Sequence, residues 1–198
     1  TGSDHWSYAT DFDGTNLSGG SERIANVYMA SGTTALWQGG SLSVIGSSSA
    51  SSTVQNQGTG TYEITFGTGA TIDWNGATIR NTGASGVVFA GAPTVTDFSR
   101  TDHLVQINGG SAITVGGTAI NANQAKNFTN NVFNQSGASS PVNVTATGTA
   151  VSSWRFTNHI GNIAGEDFDN DPTGDPGYLV WDNSAALITV AGNVYSNE

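Results

Sequence analysis

The chain has 198 residues and a formal net charge of −10, with only five basic residues and no cysteine. A nucleic acid would be repelled by this charge, an anionic membrane surface is disfavoured for the same reason, and disulfides are excluded. Charged residues make up 10% of the chain, hydrophobic residues 36%, and Gly alone contributes 27 residues. No apolar run is long enough to span a membrane. This composition is typical of an all-β protein with many turns.

Residues 1–20, TGSDHWSYATDFDGTNLSGG, differ in pattern from the rest of the chain. They contain Trp6 and Tyr8 and predict an N-terminal arm or cap. Their acidic turn, DFDGTN, is a weak second candidate for a calcium site. Residues 21–198 predict a single β domain.

A short motif recurs along this domain, in which two apolar residues flank any third residue and small residues follow. Its copies begin at Leu42, Ile64, Val87, Ile113, Val142 and Ile188. The first five copies are 22 to 29 residues apart, and the last interval is about 20 residues longer than these. A period of this length is typical of one turn of a solenoid built from short strands.

A second motif has the same period. The sequence FTNNVFN starts at Phe128 and FTNHIGN starts at Phe156, 28 residues later. Two motifs with one period favour a repeat over coincidence. The one helix-like stretch, NANQAKN at 121–127, predicts a loop or a single turn.

On these two motifs, residues 42–198 resemble the right-handed parallel β-helix of secreted bacterial and archaeal surface proteins and of polysaccharide-active enzymes. The segments WRFTN, GEDFD, DPTGDPGY and WDNS, between residues 154 and 184, are similar to the C-terminal turns of long extracellular β-helix proteins of thermophilic microbes. The resemblance implies an all-β, right-handed parallel β-helix of roughly six turns and an extracellular or cell-surface location. The alternative fold is a β-sandwich or jelly roll.

The acidic stretch at 161–183 predicts a loop insertion, which accounts for the long last interval. Asp167, Asp169 and Asp171 alternate with other residues, and Asp175 follows them. Carboxylates on a tight loop supply the hard oxygen ligands that Ca²⁺ prefers, and their mutual repulsion favours a bound cation. The sequence therefore predicts a calcium site formed by these four residues. The alternative is a solvated acidic loop without an ion.

A second charged cluster contains Asp97, Arg100, Asp102 and His103. Paired carboxylates are the catalytic groups of polysaccharide hydrolases. The two aspartates need a corner between them to come together, and the chain lacks the basic groove that anionic sugars require. A turn with one ion pair is therefore the favoured interpretation, and no catalytic residue is predicted.

Other side chains of chemical interest give no recognisable motif. The histidines show no metal-ligand spacing and are expected at the surface or hydrogen-bonded; they are His5, His103 and His159. Some tryptophans could stack on sugars, but core packing is favoured for all three, namely Trp74, Trp154 and Trp181. Glycosylation sequons are expected by chance in a chain so rich in Asn and Thr; they begin at Asn16, Asn127, Asn134 and Asn143.

The two ends suggest how copies assemble. The last residues, ALITVAGNVYSNE, predict an open ladder strand, and the unmatched segment 1–20 predicts a free aromatic arm. Together they predict head-to-tail assembly by strand addition, with the protein as its own partner. The predicted function is a secreted, non-enzymatic subunit of an extracellular filament, pilus-like fibre or surface sheath, with calcium as a candidate stabiliser. The alternatives are an extracellular polysaccharide-binding or polysaccharide-degrading β-helix protein and one β-helical part of a larger adhesin.

Overall fold

The computed structural model describes residues 26–46, 52–174 and 177–182. These residues form a parallel β-solenoid of about six turns, which we call coils 1 to 6. The predicted β-helix is thereby confirmed against the β-sandwich alternative. The predicted arm at 1–20 and the motif at Ile188 lie outside the described residues.

Coils 1 to 5 each contribute one strand to each of three faces. Coil 1 contains β1 (Asn26–Met29), β2 (Thr34–Trp37) and β3 (Gly40–Ile45). Coil 2 contains β4 (Ser52–Asn56), β5 (Tyr62–Phe66) and β6 (Ala70–Asn75). Coil 3 contains β7 (Ala77–Arg80), β8 (Thr82–Phe89) and β9 (Thr94–Ser99). Coil 4 contains β10 (Asp102–Val105), β11 (Ser111–Gly116), the helix α1 (Gly117–Ala122) and β12 (Asn127–Thr129). Coil 5 contains β13 (Val132–Gln135), β14 (Val142–Thr147) and β15 (Trp154–Thr157).

The first face has the strand order β1-β4-β7-β10-β13 and the second face β2-β5-β8-β11-β14. The third face consists of β3-β6-β9 followed by β12-β15-β16. A hydrogen bond of 2.8 Å from the Arg100 amide to the Thr129 carbonyl connects these two parts. Every pairing between these strands is parallel.

Coil 6 carries the acidic stretch and is mostly loop. It contains a 3₁₀ helix (Glu166–Phe168) and β16 (Leu179–Asp182). Ile160 bridges to the first face at Val132, Asn170 bridges to the second face at Thr145, and β16 pairs with β15 on the third face. The acidic loop therefore follows the path of a coil, although its strand content is low.

The register confirms part of the predicted repeat and corrects the rest. Ile64, Val87 and Ile113 are in register on the second face, and Phe128 is paired with Phe156 on the third. Ile113 is paired with Val144, two residues beyond the motif position at Val142.

Leu42 was also assigned to the wrong ladder. It lies on the third face opposite Ile72, while the partner of Ile64 in coil 1 is Ala35. Strands on different faces carry the same kind of apolar triplet, so spacing alone does not assign a face.

The core under the third face is an aromatic ladder, with one ring contributed by each of coils 2 to 6. Its members are Trp74, Phe98, Phe128, Phe156 and Trp181. Successive ring centroids are 5.6, 6.3, 5.6 and 4.6 Å apart. Each such pair contributes about 1 kcal/mol beyond its buried area. Trp74 and Trp154 are fully buried, which confirms core packing for both, and Trp181 is partly buried against the core.

Candidate functional site

Two carboxylates of the acidic loop in coil 6, those of Asp169 and Asp171, have separate hydrogen-bond partners. The Trp181 indole Nε1 donates to Asp169 Oδ2 at 2.8 Å. Asp171 Oδ1 accepts from the backbone amide and hydroxyl of Thr173 at 3.0 and 2.7 Å, and its Oδ2 accepts from the Leu179 amide at 2.8 Å. Asp171 therefore closes the loop onto the first residue of β16. Asp167 lies on the 3₁₀ helix and is exposed.

Within the described residues, no group of three or more His, Asp or Glu side chains is placed to hold a metal ion. Asp175 lies outside the described residues, so the calcium site predicted from Asp167, Asp169, Asp171 and Asp175 stays a prediction. The hydrogen-bonding role of Asp171 was not predicted from the sequence. The Asp-x-Thr spacing could have indicated it, because an Asp side chain commonly accepts from the backbone two residues later.

The second charged cluster is divided between two faces. Asp97 on the third face accepts from the Asn75 side chain and from the Phe98 amide. Asp102 on the first face forms an ion pair of 3.9 Å with Arg80 of the preceding coil. Burial raises the pKa of Asp102, and the Arg80 charge opposes this shift. The corner between the strands includes Arg100, whose φ is 52°. Each carboxylate thus has its own partner, in agreement with a structural turn that carries one ion pair.

His103 lies in the core and is hydrogen-bonded, which is one of the two environments expected for it. Its exposed fraction is 1%, and its ring stacks on Phe133 with centroids 5.2 Å apart and planes 7° apart. Its Nε2 lies 2.8 Å from the Thr101 hydroxyl, while Nδ1 has no hydrogen-bond partner. Burial lowers the pKa of His103 to about 3. The ring is therefore neutral near pH 7 and is a core side chain.

Buried asparagines connect successive coils at their corners. Asn131 Oδ1 accepts from the amide and the hydroxyl of Thr101 at 3.0 and 3.1 Å, and its Nδ2 donates to the Phe98 carbonyl at 3.0 Å. These bonds satisfy backbone groups that the turn would otherwise leave buried and unpaired. No role was predicted for these asparagines from the sequence.

The same type of contact removes one glycosylation candidate. Asn143 is fully buried, and its Nδ2 donates to the carbonyls of Ile163 and Gly165 at 3.0 and 2.7 Å. This amide cannot accept a glycan in the folded protein. Asn127 is exposed and Asn134 is partly exposed, whereas Asn16 lies outside the described residues.

His159 packs beside the last ring of the aromatic ladder. Its ring meets Trp181 edge to face, with centroids 4.9 Å apart. Burial lowers the pKa of His159, and the Asp182 charge opposes the shift. Like His103, it is buried and does not belong to a group of metal ligands among the described residues.

An open groove lies beside the acidic loop, next to the corner before β15. It is lined by Ala150, Val151, Ser152, Ser153, Thr173, Gly177 and Tyr178. The described part of this lining contributes hydroxyl groups but no carboxylate, imidazole or amine.

Comparison with known proteins finds no family model, no curated protein and no solved structure that matches this chain. Among the described residues, the helical segments are too short and too polar to cross a membrane.

Proposed function

We propose that the protein is a secreted structural subunit that assembles head to tail into an extracellular filament, pilus-like fibre or surface sheath. The parallel pairing of all the described strands carries this proposal. In the described part of the chain, β1, β2 and β3 are the terminal strands of their sheets. A coil of a second copy can add to these edges in the same parallel sense, and strand addition at a sheet edge is a common mode of protein assembly.

The side chains of the solenoid support a structural role. Asp97 and Asp102, the candidates for carbohydrate hydrolysis, are engaged by Asn75 and Arg80 on different faces. The aromatic side chains that could stack on a sugar are mainly in the core, where Trp74 and Trp154 are fully buried. These side chains serve the stability of the fold, and no described feature favours the polysaccharide alternative.

Calcium is part of this proposal, with Asp167, Asp169, Asp171 and Asp175 as its ligands. An ion that binds only the folded chain would stabilise it by mass action. Calcium would also neutralise part of the charge of −10, which otherwise opposes contact between copies.

The test is electron microscopy of the purified protein, combined with analytical ultracentrifugation over a range of concentrations. Each sample is measured with calcium and with a chelator. We expect filaments or a concentration-dependent series of oligomers, with a larger assembled fraction in calcium. A single monomeric species under all conditions would refute the assembly. Assembly that is equal in calcium and chelator would refute only the role of calcium.

A further inference from the structure

Coil 1, residues 26–45, differs from the other coils in charge and exposure. It contains none of the charged residues of the chain. Six large hydrophobic side chains are exposed in the described part of the chain, and four of them lie in this coil: Val27, Tyr28, Leu36 and Ile45. A solenoid that ends in solvent usually carries a polar end coil.

The inward side chains of coil 1 form an incompletely covered end of the core within the described residues. Val27 is 36% exposed, whereas Val54, its partner in coil 2, is 3% exposed. Trp37 is only partly buried, whereas its partner Phe66 is fully buried. The missing burial is what one further coil of the same cross-section would provide.

Each of the three faces of coil 1 carries one outward side chain that is large and apolar. We call Tyr28, Leu36 and Ile45 the apolar rim; Tyr28 and Leu36 are each 55% exposed and Ile45 is 42% exposed. Their register partners in coil 2 are Gln55, Thr65 and Asn75, all polar. The change from polar to apolar side chains at paired positions is typical of a surface that another chain or segment covers in the assembled protein.

Charge and geometry together favour a second copy of this chain as the occupant. With a net charge of −10, two copies repel each other least where one of them presents no charged residue. The described residues of coil 6 include five of the 15 acidic residues: Glu166, Asp167, Asp169, Asp171 and Asp182. Contact between two acidic ends is therefore disfavoured relative to contact that includes coil 1.

The direction of the contact follows from the strand pairing. All described pairings are parallel, so a second copy that adds in the same orientation keeps the strand direction of coil 1. A contact between two copies of coil 1 would reverse the strands and require antiparallel pairing. The parallel addition is a heterologous contact that does not close on itself.

We infer that coil 1 is the docking end of the subunit, where the opposite end of a second copy covers its strand edges and its apolar rim. This inference rests on the proposed assembly and specifies which surface carries it. Residues 1–25 of the same chain are the alternative occupant, and the experiment distinguishes the two.

The experiment measures assembly of the full chain by analytical ultracentrifugation with Tyr28→Glu and Leu36→Glu, which remove an apolar side chain and add a charge that the acidic end of a second copy repels. The matched controls place the same charge at the paired positions one coil away, Gln55→Glu and Thr65→Glu. Each variant is first compared with the wild type by circular dichroism and urea unfolding, so that only folded variants are scored. We expect the rim variants to raise the dissociation constant at least tenfold, or about 1.4 kcal/mol, and the controls to change it less than threefold.

Several results would overturn the inference. Assembly that is equally strong in rim and control variants would place the contact elsewhere while leaving the proposed filament intact. If the wild type stays monomeric, the proposed function fails as well. In that case, slow amide hydrogen exchange in β1 and β2 would show that the chain covers its own coil 1.

A cross-link tests the direction of the contact. The chain has no cysteine, so Tyr28→Cys introduces a unique thiol. A disulfide dimer through this thiol would indicate coil 1 against coil 1 and would overturn the head-to-tail direction.

Discussion

The aromatic ladder of the third face and the acidic loop of coil 6 are ordered by different interactions. Phe98, Phe128 and Phe156 are buried, and their rings contact one another edge to face or tilted through successive coils. Between residues 166 and 174 no side chain is fully buried, and Asp171 closes the loop through hydrogen bonds to Thr173 and Leu179. Apolar ring packing stabilises the regular coils, whereas a few carboxylate acceptors order the loop. The cost of a substitution should therefore differ several-fold between the two regions.

The largest effect is expected in the middle of the ladder. Phe128→Ala removes a ring that contacts Phe98 on one side and Phe156 on the other, and the parallel strands cannot close the resulting cavity. We expect a loss of about 4 kcal/mol in the free energy of unfolding, measured by urea titration. The exposed Asn127→Ala is the control and should change stability by less than about 0.5 kcal/mol. A loss below about 1 kcal/mol for Phe128→Ala would show that the ladder contributes little to stability.

A smaller effect on the free energy of unfolding, one that depends on pH, is expected from the imidazole of His103 in the core under the first face. The pKa of His103 is lowered to about 3 in the folded protein, against 6.5 for a free histidine. Below pH 6.5 the unfolded chain binds a proton that the folded chain does not, so stability is lost as pH falls from about 6.5 towards 3. Between pH 7 and pH 5 this group alone should cost about 2 kcal/mol.

His103→Phe tests this sign, because it keeps an aromatic ring stacked on Phe133 and removes the titrating group. The variant should lose about 2 kcal/mol less than the wild type between pH 7 and pH 5, measured by urea titration at each pH. Thr101 keeps Asn131 as a hydrogen-bond partner in this variant, which limits other losses. An equal pH dependence in both proteins would show that His103 is not responsible.

Part of the aromatic ladder could be predicted from the sequence. Each coil must bury its side of the third face, so similar residues recur once per coil, and Phe128 and Phe156 therefore lie in matching motifs. The coil 1 partner of Ile64 could not be predicted. The true partner, Ala35, is small, and the more strongly apolar motif at Leu42 lies nearby in the sequence and matches the repeat better. Apolar type alone indicates burial and leaves the face undetermined.

The site could be predicted less well. The acidic residues stand out in composition, but the partner of Asp171 is the Leu179 amide, eight residues away across a loop. The path of that loop is set by tertiary contacts at Ile160 and Asn170, which no local pattern encodes. The sequence could not decide between a surface and a buried position for His103 for a similar reason, since an inward position in a strand of mixed polarity has no local signal.

The smallest effect is expected in the acidic loop. Asp171→Ala leaves the Leu179 amide and the Thr173 groups without their acceptor, at a cost of about 1 to 2 kcal/mol because water can replace part of the lost bonding. Asp167→Ala, at an exposed position of the same loop, is the control and should cost less than about 0.5 kcal/mol without calcium.

Thermal unfolding with calcium and with a chelator separates the contribution of the Asp171 hydrogen bonds from that of ion binding. If the loop binds calcium, both variants lose the stabilisation that calcium gives the wild type, since both remove a ligand. If calcium stabilises neither the wild type nor a variant, Asp171 acts through its hydrogen bonds alone, and the acidic loop belongs to the architecture of coil 6.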